Sequence, residues 1–352
     1  MMPPHLRETV MTVRRAVRIL PVAALLALSL SPRVAPAQGA PVRIRLGTLA
    51  PQGTSYHRIL QEMGERWRTV TNGQVQLTVY AGTMGSEAEL VRRMRLGQLQ
   101  AAALTGVGIA EIDGAVSALQ EIPMLFHSLD EFEYARTRLE PVLAQRLAER
   151  GFVVLFWVDA GWVRFFTRRP ALHPDDFRHL KIFVTAGDND QFDLMRSAGF
   201  SPVFLEWSDA LTGLQTGMID AVPTIPYFAL SMQFQTVATH MLELNWLPLV
   251  GATLITKRTW DGLSAEAQAA LRAAAVDAGR RFQARGRAES DEAVAAMQRR
   301  GLTVEPVPPA VDAEWRTLSE SFWPRIRGRM VPADMFDEAV RIVAEYRSSR
   351  PR

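Results

Sequence analysis

The chain has 352 residues, with 40 lysines and arginines, 37 aspartates and glutamates, and no cysteine. The lack of cysteine excludes disulfide bonds, thiolate metal ligands, cysteine nucleophiles and the lipidated cysteine that anchors some exported proteins. The formal net charge of +3 is small, and its source lies near the amino terminus.

The first residues have the organisation of a secretory signal peptide. A basic segment ends at Arg18, an apolar segment covers Ile19–Leu30, and residues 35–37 ("APA") provide a cleavage site. The apolar segment is shorter than the roughly 20 residues of a membrane span, although an uncleaved anchor is the alternative. We therefore predict that Met1–Ala37 is a signal peptide and that the mature protein is soluble in the periplasm. Because this segment contains five arginines and one glutamate, the rest of the chain has 35 basic and 36 acidic residues, which gives no basis for nucleic-acid binding.

The first part of the mature sequence alternates between strand and helix patterns. Apolar residues recur at every second position in the strands and at spacings of three and four in the helices. The predicted elements are a strand at Val42–Leu49, a helix at Ser55–Asn72, a strand at Gln74–Tyr80, a helix at Ser86–Leu96 and a strand at Leu99–Leu104. This order predicts a parallel sheet with crossover helices.

A second unit of the same kind follows in the chain. A helix, a glycine stop and a strand occur in both halves, with Gly97 and Gly217 at equivalent places. Further predicted elements are strands at Gly151–Trp157, Lys181–Thr185 and Gly251–Thr256 and helices at Gln191–Ala198 and Ser264–Arg300. Two similar units favour an α/β fold of two lobes over one larger sheet, and the long last helix is suited to brace both lobes.

The sequence contains no convincing set of catalytic residues. The HExxH, P-loop and GxSxG patterns are absent, and the five histidines after residue 37 form no close metal-ligand pair. Asp188 and Asp190 stand in a polar turn, where carboxylates can bind a cation but usually bond the local backbone. These observations favour a binding protein that is not an enzyme, with no metal and no cofactor.

The mature chain resembles the periplasmic solute-binding proteins of TRAP transporters, the DctP-like family. Matching stretches are "LGTLAPQGTSYHRIL", "VQLTVYAGTMGSEAELVRRMRLGQLQAA", "GWVRFFTRRPALHPDDFRHLKIFV" and "GFSPVFLEWSDALTGLQTGMIDAVPTIP". The resemblance implies two lobes joined by hinge strands, with a long helix lying across both. It also implies a ligand held in the cleft, closure by a hinge motion, and delivery of the ligand to membrane permease subunits driven by an ion gradient. Most members of the family are monomers, so a monomer is expected.

The lobes can be assigned to segments of the chain on this basis. Lobe I is predicted to comprise residues 38–160 plus 249–286. Lobe II is predicted to comprise residues 161–248 plus 287–352.

Four positions of the predicted site follow from the family pattern in the second lobe. The family usually has an arginine, which pairs with the ligand carboxylate, where this chain has Phe183. The family's asparagine is replaced by Thr224, an aromatic residue is kept as Trp207, and a second, less general arginine is kept as Arg164. Phenylalanine makes none of the charge-assisted hydrogen bonds of a guanidinium, so the usual carboxylate partner is lost. The alternative is that Phe183 packs beneath the sheet and the cleft is rebuilt around it.

Four further positions complete the predicted site. Glu87 and Thr105 occupy places that approach the ligand in relatives, with a surface acid and a strand-end cap as their respective alternatives. Trp162 and Tyr227 are expected to add aromatic surface. The cleft is therefore predicted to be apolar, with Arg164 as its one strong cation. The expected solute is more apolar than a C4-dicarboxylate, either a monocarboxylate with a hydrophobic body held by Arg164 or an uncharged molecule.

Two other functions are compatible with these patterns. A solute receptor for a membrane sensor kinase would need the same closing lobes. An exported enzyme on a binding-protein scaffold would need a nucleophile or general base in the cleft, for which Glu87 or Asp159 would be the nearest candidates.

Overall fold

The computed structural model describes residues 40–82 and 84–349. The predicted signal peptide, Met1–Ala37, lies outside the described residues. None of the helices in the described ranges is both long and apolar enough to cross a bilayer.

A single mixed sheet forms the frame of the fold. Its strands are β1 (Val42–Thr48), β2 (Val75–Ala81), β3 (Ala101–Thr105), β4 (Phe152–Thr167), β5 (Lys181–Thr185), β6 (Ser201–Leu205), β7 (Ala221–Thr224), β8 (His240–Thr256) and β9 (Thr303–Glu305). The order in the sheet is β2-β1-β3-β8-β4-β7-β5-β6, and β9 pairs with β8. The strands β1, β2 and β3 run parallel, as do β5, β6 and β7. This confirms the predicted α/β class.

Helices connect most of the strands. They are α1 (Ser55–Val70), α2 (Glu87–Arg95), α3 (Gly106–Ala110), α4 (Leu129–Glu149), α5 (Pro174–Arg178), α6 (Asn189–Ser197), α7 (Ala210–Thr216), α8 (Pro226–Ser231), α9 (Lys257–Asp261), α10 (Ala265–Gln298), α11 (Pro309–Ile326) and α12 (Ala333–Ser348). Short 3₁₀ helices lie at Gly114–Leu119, Trp207–Asp209 and Phe234–Thr236. As predicted, Ser264 caps the longest helix, because its Oγ accepts a hydrogen bond from the backbone N–H of Ala267 at 3.2 Å.

The two longest strands, β4 and β8, join the two groups of parallel strands. They pair with each other in antiparallel fashion, and their register shifts between Asp159 and Trp162. Gly161, inside this shift, has a φ of +85°, which glycine adopts without strain. The predicted strands Gly151–Trp157 and Gly251–Thr256 are therefore too short. Each is one part of a longer strand, β4 or β8. In β4, the irregularity at Gly161 changes the register without ending the strand.

The long helix α10 packs against core residues at both ends of the sheet. In its first half, Leu271 belongs to a buried cluster with Trp67, whose indole Nε1 donates to the backbone oxygen of Leu271 at 3.1 Å. Near its end, Met297 belongs to a different cluster with Phe166. The prediction of a long helix that spans both lobes is confirmed.

Two glycines allow α10 to lie close to β4. A Cβ atom at Gly279 would lie 2.8 Å from Cβ of Phe156, and one at Gly286 would lie 3.4 Å from Cα of Ala160. The distance at Gly279 is shorter than real Cβ atoms show, and a Cβ atom at Gly286 would also meet the hydroxyl oxygen of Tyr56 at 2.9 Å. The two glycines are seven residues apart and so lie on one face of the helix. The backbone of the helix therefore lies close to β4 at Phe156 and, within the register shift, at Ala160.

A buried ion pair fastens α10 to β4 at the same place. The carboxylate of Asp159 is fully buried and accepts hydrogen bonds from Nε and Nη2 of Arg287, at 3.0 and 2.8 Å. Gln283 Nε2 adds a third hydrogen bond at 2.9 Å. Asp159 is thus occupied by structural contacts, which argues against the role of general base considered for it.

The last described helix, α12, packs against α4. Their tyrosines Tyr134 and Tyr346 lie 4.9 Å apart between ring centroids, and Arg347 forms an ion pair with Glu131 at 2.8 Å. The sequence position of α12 falls in the segment predicted for lobe II, whereas α4 falls in the segment predicted for lobe I. This helix therefore packs against a segment assigned to the other lobe. The predicted lobe boundaries stay a prediction.

Candidate functional site

A large cavity lies at the carboxyl ends of the parallel strands. Its volume is about 1480 Å³. Residues at the ends of β1 and β3 line it, together with residues at the ends of β5, β6 and β7. The carboxyl ends of parallel strands are where α/β proteins bind their ligands. This cavity is therefore the candidate ligand-binding cleft.

Phe183 belongs both to the wall of the cavity and to the core. Its side chain is only 2% exposed, and its neighbours Ile182 and Val184 are buried as well. Both faces of β5 are thus covered, as is usual for a parallel strand inside a sheet. Alternating residues along this strand therefore do not distinguish a buried face from an exposed one. Phe183 nevertheless lines the cavity. The two roles considered for this residue, packing and cleft wall, occur together.

Three aromatic rings form a continuous part of the cavity wall. The ring of Phe183 lies 4.4 Å from that of Trp207, and Trp207 lies 5.2 Å from Phe228 with the two planes at 84°. All three residues line the cavity. This part of the cavity wall is therefore aromatic, and the ligand-binding roles of Phe183 and Trp207 stay predictions.

Thr224 and Tyr227 also line the cavity. Thr224 is buried at the end of β7. The hydroxyl oxygen of Tyr227 accepts a hydrogen bond from the backbone N–H of Ser55 at 3.3 Å, and its ring lies 5.1 Å from that of Tyr56. Tyr227 therefore links α8 to the start of α1, between segments that the sequence assigned to different lobes.

Glu87 is a buried carboxylate that holds the end of β3. It accepts hydrogen bonds from the backbone N–H of Thr105 at 2.7 Å, from the Thr105 hydroxyl at 2.5 Å and from the backbone N–H of Gly108 at 3.0 Å. Burial raises the pKa of Glu87, while these three hydrogen bonds act in the opposite direction. The alternative of a surface acid is wrong, since the side chain is buried. Glu87 and Thr105 line the cavity as one bonded pair.

Arg164 and Trp162 are not among the residues that line the cavity in the described part of the chain. The guanidinium of Arg164 donates from Nη1 to Oδ1 of Asn245 at 2.7 Å. Burial lowers the pKa of Arg164. Trp162 is partly buried against the hydrophobic core. The ligand-binding roles of both residues stay predictions, and the arginine that lines the cavity is Arg329.

The cavity also contains acidic residues that the sequence did not select as ligand-binding. Glu121 follows the 3₁₀ helix at Gly114–Leu119, and Asp188 caps α6 by accepting from the backbone N–H of Gln191 at 3.1 Å. Withdrawal from water, and then the charge of Asp188, raise the pKa of Glu121 to about 8. Burial also raises the pKa of Asp188. The sequence placed Asp188 in a polar turn, where carboxylates usually bond the local backbone. No local pattern identifies Glu121 as a site residue, because segments distant in the sequence create its surroundings.

This chain is similar in sequence to known bacterial solute-binding proteins. The sequence profile of the bacterial extracellular solute-binding proteins, family 7, matches residues 46–328. The C4-dicarboxylate-binding periplasmic protein DctP of Rhodobacter capsulatus is 24% identical over 295 residues, which cover 83% of this chain and 87% of the relative.

The solved structures that resemble this chain share its fold. A TRAP periplasmic solute-binding protein of Shewanella oneidensis with bound succinate has a TM-score of 0.79 at 20% identity, covering 86% of this chain and 100% of that one. An extracytoplasmic solute receptor of Bordetella pertussis that binds pyroglutamic acid has a TM-score of 0.78 at 19% identity, covering 86% of this chain and 99% of that one. Such similarity establishes a two-lobed binding-protein fold.

Proposed function

The chain belongs to the bacterial extracellular solute-binding proteins, family 7, and we propose that it closes on a small organic solute more apolar than a C4-dicarboxylate and delivers it to TRAP membrane permease subunits. It is a periplasmic solute-binding protein and not an enzyme. We further propose that it acts as a monomer.

The aromatic wall around Phe183 is the observation that carries this proposal. Phe183, Trp207 and Phe228 are in ring contact and all line the cavity. A guanidinium can hold a carboxylate through two charge-assisted hydrogen bonds, and a phenyl ring can make none. An aromatic wall instead favours an apolar solute body, with a few polar groups to orient it.

The size of the cavity supports a closing motion. Its volume of about 1480 Å³ exceeds the roughly 300–1,000 Å³ that is common for ligand pockets. A small solute would therefore contact both walls only if the walls approach each other. We propose that lobe I, residues 38–160 plus 249–286, and lobe II, residues 161–248 plus 287–352, rotate about β4 and β8. The register shift beside Gly161 is the proposed hinge point on β4.

The choice of solute is tested by calorimetry on the mature protein after bound molecules have been removed. We expect no micromolar binding of succinate or malate by the wild type. Phe183→Arg should gain affinity for succinate, whereas the matched variant Phe183→Leu should not. Micromolar binding of succinate by the wild type, with no gain from Phe183→Arg, would contradict the proposal.

Because Phe183 is buried, the arginine variant needs a check of folding by circular dichroism. Mass spectrometry of the molecule that co-purifies with the wild type gives an independent result. We expect an apolar or aromatic solute, and a co-purified dicarboxylate would contradict the proposal even if the arginine variant did not fold.

Delivery to the permease is tested in vesicles that contain TRAP permease subunits. The co-purified solute should accumulate only when the binding protein and an ion gradient are both present. If the vesicles take up nothing and the loaded protein instead activates a membrane sensor kinase, the receptor function is correct.

A further inference from the structure

The charged residues of the cavity wall are almost all acidic. Six carboxylic acids line it among the described residues: Glu87, Glu111, Glu121, Asp188, Asp190 and Glu206. The one arginine among the described lining residues, Arg329, donates to Asp190 at 3.0 Å and to Asp193 at 2.8 Å. In the described part of the wall, no cation is left without an acid partner. A solute carboxylate would therefore find no available counter-charge among the described lining residues.

Five of these six acids, all except Asp190, form no ion pair with another described residue, and two of the five are Glu121 and Asp188. Glu121 Oε1 accepts a hydrogen bond from Gln120 Nε2 at 3.4 Å, and Asp188 Oδ1 accepts one from the backbone N–H of Gln191 at 3.1 Å. Neither forms an ion pair with another described residue. Loss of water contact raises the pKa of both carboxyl groups, and the charge of Asp188 adds to the effect on Glu121. A positively charged solute group would supply the counter-charge that the protein does not provide.

The aromatic wall suits a cationic group as well as an apolar body. The planes of Trp207 and Phe228 meet at 84° and their centroids lie 5.2 Å apart, so the two rings form a corner in the lining. Aromatic faces carry partial negative charge and attract ammonium groups, but they do not attract carboxylates. The acids are close to these rings along the chain, because Glu206 precedes Trp207 directly and Asp188 follows the strand that carries Phe183.

The cation that fits these surroundings is organic. The described residues contain no group of three or more His, Asp or Glu side chains placed to hold a metal ion. We propose that the solute carries a cationic nitrogen, as a protonated amine or an alkylated ammonium, on an apolar body, with Glu121 and Asp188 as its counter-charges and Trp207 and Phe228 as its aromatic contacts. This proposal rests on the proposed function, since it specifies the solute of the same cleft.

A matched set of probes separates charge from shape. The probes 3-phenylpropionate, 3-phenylpropanol, 3-phenylpropylamine and trimethyl(3-phenylpropyl)ammonium share one body and differ in the charge of the head group. Thermal shift and calorimetry with the ligand-free mature protein should show binding of the two cations, and weaker or no binding of the alcohol and the acid. Glu121→Gln and Asp188→Asn should each weaken binding of the amine at least about tenfold. Asparagine keeps the helix cap at position 188, and Glu320→Gln, at an exposed glutamate outside the cavity, is the matched control.

The possible results distinguish this proposal from the proposed function. Stronger binding of the acid or the alcohol than of the cations would overturn the cationic solute and leave an apolar solute intact. Unchanged amine affinity in both Glu121→Gln and Asp188→Asn would also overturn it. Binding of none of the four probes, together with a co-purified dicarboxylate, would contradict both.

Discussion

The ion pair between Asp159 and Arg287 offers a direct test of how α10 is fastened to β4. The side chain of Asp159 is 0% exposed, whereas that of Arg287 is 34% exposed. Arg287 also lies 3.8 Å from Glu133, a second acid. Removing Arg287 and removing Asp159 should therefore lower the free energy of unfolding by different amounts, because only the Asp159 charge is fully buried.

The expected costs follow from this asymmetry. Arg287→Met leaves a fully buried carboxylate with one hydrogen bond from Gln283, and losing the partner of a buried charge typically costs about 3–5 kcal/mol. Asp159→Asn leaves an arginine that reaches water and Glu133, so we expect a loss of roughly 1–2 kcal/mol in the free energy of unfolding. The double variant should be more stable than the sum of the two losses predicts, by about 1 kcal/mol or more.

Urea unfolding, followed by both tryptophan fluorescence and circular dichroism, measures these losses. With an m-value of about 3 kcal/mol/M, the midpoint of Arg287→Met should fall by about 1–1.7 M and that of Asp159→Asn by less than about 0.7 M. Arg280→Met, at an arginine on the same helix whose side chain is 73% exposed, is the control and should change stability by less than about 0.5 kcal/mol. Equal losses below about 1 kcal/mol in both variants would refute the reasoning, because the pair would then behave as an exposed one.

Three further predictions concern single residues. Because the pKa of Glu121 is raised from 4.5 to about 8, the free energy of unfolding should fall by up to about 1.4 kcal/mol per pH unit as the pH rises between these values. Glu121→Gln should flatten that slope in urea titrations, and an unchanged slope would show that Glu121 is not its source. Gly279→Ala should lower stability by about 1–3 kcal/mol through overpacking against Phe156, less up to about 1 kcal/mol of gained helix propensity, and an unchanged midpoint in urea unfolding would contradict the close contact at Gly279. Glu87→Gln should cost about 1–3 kcal/mol because an amide cannot accept all three hydrogen bonds. It should also weaken solute binding through the shift of Thr105, and calorimetry showing wild-type affinity would contradict that link.

The sequence was most informative where structure depends on local patterns. The strand Lys181–Thr185 was predicted with its observed bounds, and α10 begins at the predicted cap Ser264 and ends within two residues of the predicted Arg300. Capping residues, glycine stops and apolar periodicity act over a few residues, so they can be read without knowing the rest of the fold.

Local patterns were insufficient where a strand passes from one part of the sheet to another. The strand was predicted only to Trp157, but pairing with β8 carries β4 through the irregularity at Gly161 to Thr167. Likewise, α12 lies in the segment predicted for lobe II and packs against α4, which lies in the segment predicted for lobe I. In both cases hydrogen bonds and packing with distant segments outweigh the local signal.

By itself, the sequence determined the α/β class, the long helix and the family, because these depend on periodicity, caps and matched stretches. Only the tertiary structure decided the electrostatics of the cleft. Arg164 bonds Asn245 outside the lining, whereas Glu121 and Asp188, 67 positions apart in the sequence, both line the cavity. The charge that a solute meets depends on which distant side chains share the same low-dielectric space and on which of them have already found partners.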